Sequence, residues 1–535
     1  MKMKKMGTFL LAALMAFGCG ACGELPEIDI DQTEEIDPNR TQLYVGMFNG
    51  ALGRAWMDEL DRQYEELHPD IQVIVTPGKS EFEDGTLLVQ IAQSQNDIYF
   101  LSSNTYSTFV ESNLLEPLTD TITEKIYDED GNFASDTGKA ATQSILDTMY
   151  DPWKDLFKTD DNQYYAIPNW MSTPGIVYDA DLFEDYGYEV PETYEELIDL
   201  MDTMVNDKLT PFVFSTMDYI TLNSLYYMYA QYEGLNDFYL NSTFKGTDST
   251  LGEINYQNAY LLQTQEGKKA SLQFAHDLAR TDAYTTSTTK AGLTHLAAQG
   301  EFVRSINTKE TGSQRVAMLL ENSYWEREVK GTIDDMGKIT SKYGWGARNF
   351  RYMLAPTFED STNTKHTVFG STSNSYVCIN KSRPEASKEI AKDFLQFVQS
   401  RKGLVTYVQN SGCLRAFKFT MTPEEYAACT PFTQSIYDLT QRSDVEFVCF
   451  GKINPILRKQ TTDFDYNWMF YTEAETAVGG GGDGTVPVIG RSAFTMFRSY
   501  PRLTVQEYFD GFASAWDEDD WQLSYYDKLD DKYKA

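Results

Sequence analysis

Cys19 and Cys22 are the residues nearest the N-terminus that could do chemistry. Each follows a small residue, Gly18 or Ala21, at the end of an apolar run from Gly7 to Phe17. A thiol in that setting can accept a diacylglycerol as a thioether and become the new N-terminus after cleavage. Met15-Ala16-Phe17-Gly18 before Cys19 suits such processing best, and Ala21 before Cys22 is a close second. Lys2, Lys4 and Lys5 form the positive start of a secretory signal, and the apolar run is too short to span a bilayer. The alternative is a plain secretory peptide with incidental cysteines.

A second chemistry is that of amides beside aromatic rings. Asn169-Trp170 and Tyr324-Trp325 are such neighbours, and Asn49, Asn104 and Asn374 stand at the ends of apolar runs. A flat ring packs on the apolar face of a sugar, while amides bond its hydroxyls. A buried hydroxyl left unpaired costs roughly 1–3 kcal/mol, which is where discrimination arises. Asparagine after a strand is also a common turn former. Trp56 lies on a helical apolar stripe and reads as core, whereas Trp170 and Trp325 lie on no periodic stripe. Trp345 and Trp468 are further candidates.

Other constellations point away from catalysis and metals. The four histidines, His68, His276, His295 and His366, are scattered, and no HExxH or CxxC motif occurs. No cofactor is expected. Beyond Cys19 and Cys22, the remaining cysteines Cys378, Cys413, Cys429 and Cys449 are widely spaced and read as buried thiols, with one or two bridges possible. Asp128 to Asn132 departs from a calcium loop and reads as a hairpin turn. Val478 to Thr485 is glycine-rich but lacks the Lys-Ser/Thr pair of a phosphate loop, and reads as a flexible loop. No carboxylate pair is singled out by motif.

The chain carries 80 acidic against 45 basic residues, for a net charge of −35. It is repelled by nucleic acid and by anionic membrane surfaces, so only a lipid would hold it to a membrane. Aromatics make up 14%, which suits contact with polar-faced ligands but decides nothing alone.

The elements that must position these groups follow from periodicity. Residues 1–22 are signal and lipidation site, and 23–40 form an acidic linker that cannot bury enough surface to fold. The rest is too long for one core. Leu43–Phe48, Ile71–Val75 and Asp97–Leu101 predict strands, separated by helices with Trp56, Leu60 and Tyr64, then Leu87, Leu88 and Ile91, facing inward. Alternation of this kind predicts a parallel sheet whose ligands sit at the carboxyl ends of the strands. Thr193 and Glu196 form a capping box ahead of a helix, and a second helix spans Pro384 to Gln399.

These pieces stand in a known order. Phe48-Asn49-Gly50 leads through a Trp-bearing helix to His68-Pro69-Asp70. Asn96–Leu101 is followed by Phe109–Leu118. Tyr164–Pro168 leads through Val177–Phe183 to Pro191–Leu197, with Asp179 where the pattern has Asn. Val316–Trp325 precedes Ala355-Pro356 and the Ala386–Val398 helix. Over Thr41 to Phe417 the chain resembles the extracellular solute-binding proteins of bacterial ABC importers, in the sugar-binding branch that includes maltose-binding protein.

That resemblance implies a two-lobed α/β fold of periplasmic-binding-protein type II, each lobe a mainly parallel sheet flanked by helices. Lobe one would comprise 41–168 plus 356–410, and lobe two 169–355 plus 411–535. Crossovers are expected near Ile167–Ser172, Tyr352–Pro356 and Asn410–Leu414. It further implies capture of a carbohydrate that is handed to permease subunits, while the tethered signal implies a monomer lipid-anchored on the outer face of the cell membrane. Asn104 falls at a polar contact of the pattern and Tyr324-Trp325 at its stacking aromatic, while Leu101 replaces a tryptophan. A glycoside hydrolase, a glycan-sensing or adhesion lipoprotein, and a peptide-binding protein are the competing readings.

Overall fold

The computed structural model describes residues 35–78, 87–93, 95–102, 105–216, 225–235, 237, 252, 258–308, 314–370, 375–449, 477–479, 485–487, 493–515 and 518–519. Asp37 onward forms one compact unit. Its strands in chain order are β1 (Thr41–Phe48), β2 (Ile71–Gly78), β3 (Ile98–Ser102), β4 (Ile167–Pro168), β5 (Pro174–Asp179), β6 (Thr210–Val213), β7 (Val316–Asn322), β8 (Phe350–Met353), β9 (His366–Phe369), β10 (Ser375–Ile379), β11 (Val445–Val448), β12 (Ala477–Gly479) and β13 (Thr485–Pro487).

The first sheet has the order β2-β1-β3-β10-β4. Both pairings of β1 are parallel, as the β-α-β-α-β pattern predicts. The strand β10, arriving from the far side of the molecule, runs antiparallel to β3 and β4. Asp97, just before β3, is fully buried and ties the sheet together. Its carboxylate accepts from the Tyr44 N–H at 2.9 Å and pairs with Arg383 at 2.7 Å. The helix Ala55–Leu67 buries Trp56, Met57, Leu60 and Tyr64 against this sheet, as its apolar spacing requires.

The second sheet has the order β6-β7-β5-β8. Only β6 and β7 pair in parallel, and β5 runs antiparallel to both β7 and β8. Here the mainly parallel sheet expected from the resemblance gives way to a mixed one. The physical reason is direction: β5 is laid down by chain arriving from the first sheet, so it enters against both of its neighbours, β7 and β8, which run the same way as each other. The capping box is formed, with Thr193 Oγ1 accepting from the Glu196 N–H at 3.2 Å and the Glu196 carboxylate accepting from the Thr193 N–H at 3.1 Å.

Residues 169–173 connect β4 of the first sheet to β5 of the second, and residues 354–374 connect β8 to β10 with β9 between. The bridge Met171 to Leu414 adds a third strand of chain to this junction. Gly370 is required there, since a Cβ on it would lie 2.6 Å from the Trp153 ring.

The described chain beyond Phe417 belongs to the framework. Helix Pro431–Thr440 packs on β8, where Ser435 Oγ accepts from the Tyr352 N–H at 2.9 Å. Helices Ala493–Ser499 and Val505–Ala515 pack on Glu266–Arg280. Around the glycine-rich stretch, β12 and β13 pair antiparallel, so Val478 and Thr485 are strand residues rather than loop. Tyr127 pairs with Phe133 across the Asp128–Asn132 segment, the hairpin turn predicted for it. Cys378, Cys413, Cys429 and Cys449 are buried, and no disulfide joins them among the described residues. Among the described residues, no helix is long and apolar enough to cross a membrane.

Candidate functional site

The junction between the two sheets gathers part of the candidate set. Asn49 follows β1, and its backbone N–H donates to Gly78 O at 2.7 Å, which continues the ladder with β2. Asn169 follows β4, and its N–H donates to Ser375 O at 3.0 Å. With both backbones held by the sheet, the side chains are left for other use. The Oδ1 atoms of Asn49 and Asn169 are buried and have no hydrogen-bond partner among the described residues. Such groups in a folded protein require a bound partner or water.

Trp170 and Tyr324 come from opposite sides of the junction. The Trp170 ring lies 6.0 Å from that of Tyr324 at an interplanar angle of 20°, and meets the edge of Phe48 at 6.3 Å and 77°. Two reciprocal bonds set this alignment: the Ser323 N–H donates to Thr173 O at 3.0 Å, and the Thr173 N–H to the Ser323 side-chain Oγ at 3.2 Å. The Tyr324 hydroxyl accepts from Asn322 Nδ2 at 2.9 Å, which fixes the ring's outer end. On the other flank, the Met171 N–H donates to Leu414 O at 2.9 Å, and Cys413 Sγ lies 3.5 Å from Ser323 Oγ.

Trp325 has a different place. It is fully buried, with its ring against Phe302 at 5.7 Å, Phe350 at 5.2 Å and Phe432 at 5.5 Å. The expectation of a ligand platform at Trp325 is corrected to a core position. A helical turn begins at Trp325, so it and Tyr324 point in different directions. Trp56 is core as expected, packed on Phe100 and Tyr407. Trp345 lies under the Arg327 guanidinium at 4.9 Å. Asn104, Asn374, Trp468, Cys19 and Cys22 lie outside the described residues.

Charge at the junction escaped the reading of residue types. Glu321, on β7, has its carboxyl pushed up to about 8, first by burial and then by the Glu328 charge. Gln299 Nε2 donates to both carboxylates, at 3.2 Å to Glu321 and 2.8 Å to Glu328. Burial pushes Glu326 up to about 7, and its carboxylate accepts from Thr430 Oγ1 at 2.7 Å. Asp179 is buried between two arginines, accepting from Arg348 at 2.6 Å and Arg315 at 2.8 Å. That arrangement explains an aspartate where the resembled pattern has asparagine. Among the described residues no group of His, Cys, Asp and Glu could hold a metal ion. A separate cavity of about 550 Å³ beside β8, lined by Tyr178, Arg351, His366 and Arg442 among others, contains none of the candidate residues.

The arrangement is suited to holding a flat-faced polar ligand. It offers an aromatic pair, two buried amide acceptors and a hydrogen-bonded junction between two sheets.

Comparison with known proteins bears on this geometry. Residues 49–404 match the family model described as bacterial extracellular solute-binding protein. A stretch of 93 residues is 30% identical to the multiple sugar-binding protein of Streptococcus mutans; it covers 17% of this chain and only 21% of that protein. Among solved structures, apo RafE from Streptococcus pneumoniae superposes with a TM-score of 0.55 at 14% identity, covering 91% of this chain and 100% of its own. A chitin oligosaccharide binding protein does so with a TM-score of 0.53 at 13% identity, covering 89% and 99%. The α/β fold is thus the two-lobed type II periplasmic-binding-protein fold.

Proposed function

This chain belongs to the family of bacterial extracellular solute-binding proteins, and we propose that it captures a carbohydrate, an oligosaccharide, between two lobes and delivers it to the permease subunits of an ABC importer. The observation that carries the sugar is the Trp170–Tyr324 pair, stacked at 6.0 Å across the junction beside the orphan amide oxygens of Asn49 and Asn169. The ring pair offers apolar faces and the amides accept from hydroxyls. Relatives named for multiple sugars and for chitin oligosaccharide support the same class.

In this reading the lobes are 41–168 plus 356–410 and 169–355 plus 411–535, and closure over ligand forms the surface the permease meets. Asn104 and Asn374 complete the binding set. The protein acts as a monomer by capture rather than catalysis, anchored outside the cell membrane through lipid on Cys19 or Cys22. Labelling with a fatty-acid analogue in Cys19→Ser and Cys22→Ser variants would identify the anchored thiol.

The test is a thermal-shift screen of the chain from Gly23 onward against mono- and oligosaccharides, with peptides as controls. A ligand that binds only the folded state raises the melting temperature. A shift with one glycan class supports the reading. A shift with peptides alone, or release of free sugar from the glycan, overturns it.

A further inference from the structure

Among the described residues, Arg415 carries a charge with no counterion. Its side chain is 1% exposed, and Nε, Nη1 and Nη2 all lack a hydrogen-bond partner. The neighbouring Tyr407 hydroxyl and the guanidinium act on each other's charge, with no carboxylate beside them among the described residues. What surrounds the guanidinium is aromatic: its carbon lies 4.2 Å from the Tyr407 ring centre and 5.3 Å from that of Trp56. Cation–π contact recovers only part of the free energy lost when a charge leaves water. Burial lowers the arginine to about 10, so it remains charged at neutral pH.

Its place in the chain is informative. Leu414, the residue before it, accepts the Met171 N–H at 2.9 Å, so Arg415 adjoins the backbone that carries Asn169 and Trp170. Trp56, on which it stacks, lies in the helix that follows the Asn49 turn. Asn49 Oδ1, Asn169 Oδ1 and Thr173 Oγ1 are buried polar atoms on these segments that likewise have no hydrogen-bond partner among the described residues. The amide oxygens accept from hydroxyls, whereas a guanidinium can only donate, and its planar fork matches a carboxylate with two parallel bonds. The chain's net charge of −35 repels anions in general, which leaves their selection to a local cation.

We propose that Arg415 is the anion-binding element of the carbohydrate cleft, and that the captured oligosaccharide carries a carboxylate, as a uronate-bearing sugar does. This assignment rests on the carbohydrate reading above and specifies the ligand class.

Calorimetry on the full-length protein in detergent micelles tests it. The probes are oligosaccharides of galacturonate, glucuronate and mannuronate, each beside its carboxyl-reduced counterpart, with inorganic phosphate as a separate arm. One uronate series is expected to bind the unmodified protein on the order of 100-fold more tightly than its reduced form. Arg415→Met should abolish that preference, and Arg415→Lys should retain part of it. Equal or better binding of the reduced sugars overturns the role of Arg415 and leaves the carbohydrate reading standing. Binding of phosphate without any saccharide, or of no probe at all, overturns the uronate assignment, and the wider glycan screen decides the carbohydrate reading separately. The comparison of acidic and reduced ligands on the unmodified protein needs no variant, so poor folding of Arg415→Met leaves the test decisive.

Discussion

Trp170 and Tyr324 lie nearly parallel, 6.0 Å apart, although one leaves the first sheet and the other follows a strand of the second. Each ring is therefore a marker of one half of the molecule, and the register between halves is held by the reciprocal bonds of Thr173 and Ser323. A ligand gripped by both rings would stabilise one relative placement of the sheets over others, which links capture to closure.

Trp170→Ala should weaken sugar binding by about 10- to 100-fold, the loss of a buried aromatic anchor. Tyr324→Ala should act in the same direction, and the double variant should lose less than the sum because the rings share one contact. Calorimetry on the four proteins checks this. Additive losses would mean that the rings act at separate places.

Trp325→Ala should behave as a core truncation. Removal of a ring packed on Phe302, Phe350 and Phe432 should lower stability by about 3–5 kcal/mol. Urea denaturation with and without sugar distinguishes the cases. The affinity of the folded fraction should stay close to that of the unmodified protein, and a large selective loss of affinity would return Trp325 to the cleft.

Asp179→Asn should destabilise more than a neutral exchange suggests. It removes the carboxylate between Arg348 and Arg315, of which Arg348 is buried. Breaking a buried pair from one side costs about 3–5 kcal/mol, because the remaining charge stays desolvated. The double variant Asp179→Asn with Arg348→Met should recover part of the loss. Denaturation midpoints that do not recover would assign the effect to Arg315, the other partner of Asp179, since asparagine still caps the helix at Leu182.

Stability should fall as pH rises across the titration of Glu321. The folded carboxyl titrates at about 8, against an ordinary 4.5 in the unfolded chain. Between those values the folded state binds more protons than the unfolded one, so its advantage is full at the acid end and lost through about pH 8. Glu321→Gln should flatten the profile and raise the melting temperature most at the alkaline end. A series of melts from about pH 5 to pH 9 measures it, and an unchanged slope in the variant would show that Glu321 is not the group responsible.

Much of this protein was legible in order along the chain. The parallel β-α-β-α-β start, the Thr193–Glu196 box and the core role of Trp56 depend on period, capping and strand ends, while the family resemblance implied a crossover at Asn169-Trp170. Those are properties of near neighbours, and near neighbours are what a sequence displays. Adjacent aromatics are harder, because Tyr324 and Trp325 differ by one residue yet by the whole direction of a helical turn, and only the packing of Phe302, Phe350 and Phe432 decides which faces the core. The same holds for charge. Asp179 meets Arg315 and Arg348 across 136 and 169 residues, and Arg415 meets Trp56 from the far end of the chain. Periodicity by itself determined the elements, and the family resemblance implied the two-lobed plan. The tertiary structure alone decided which charges are paired, because burial and pairing depend on distances that local spacing does not contain.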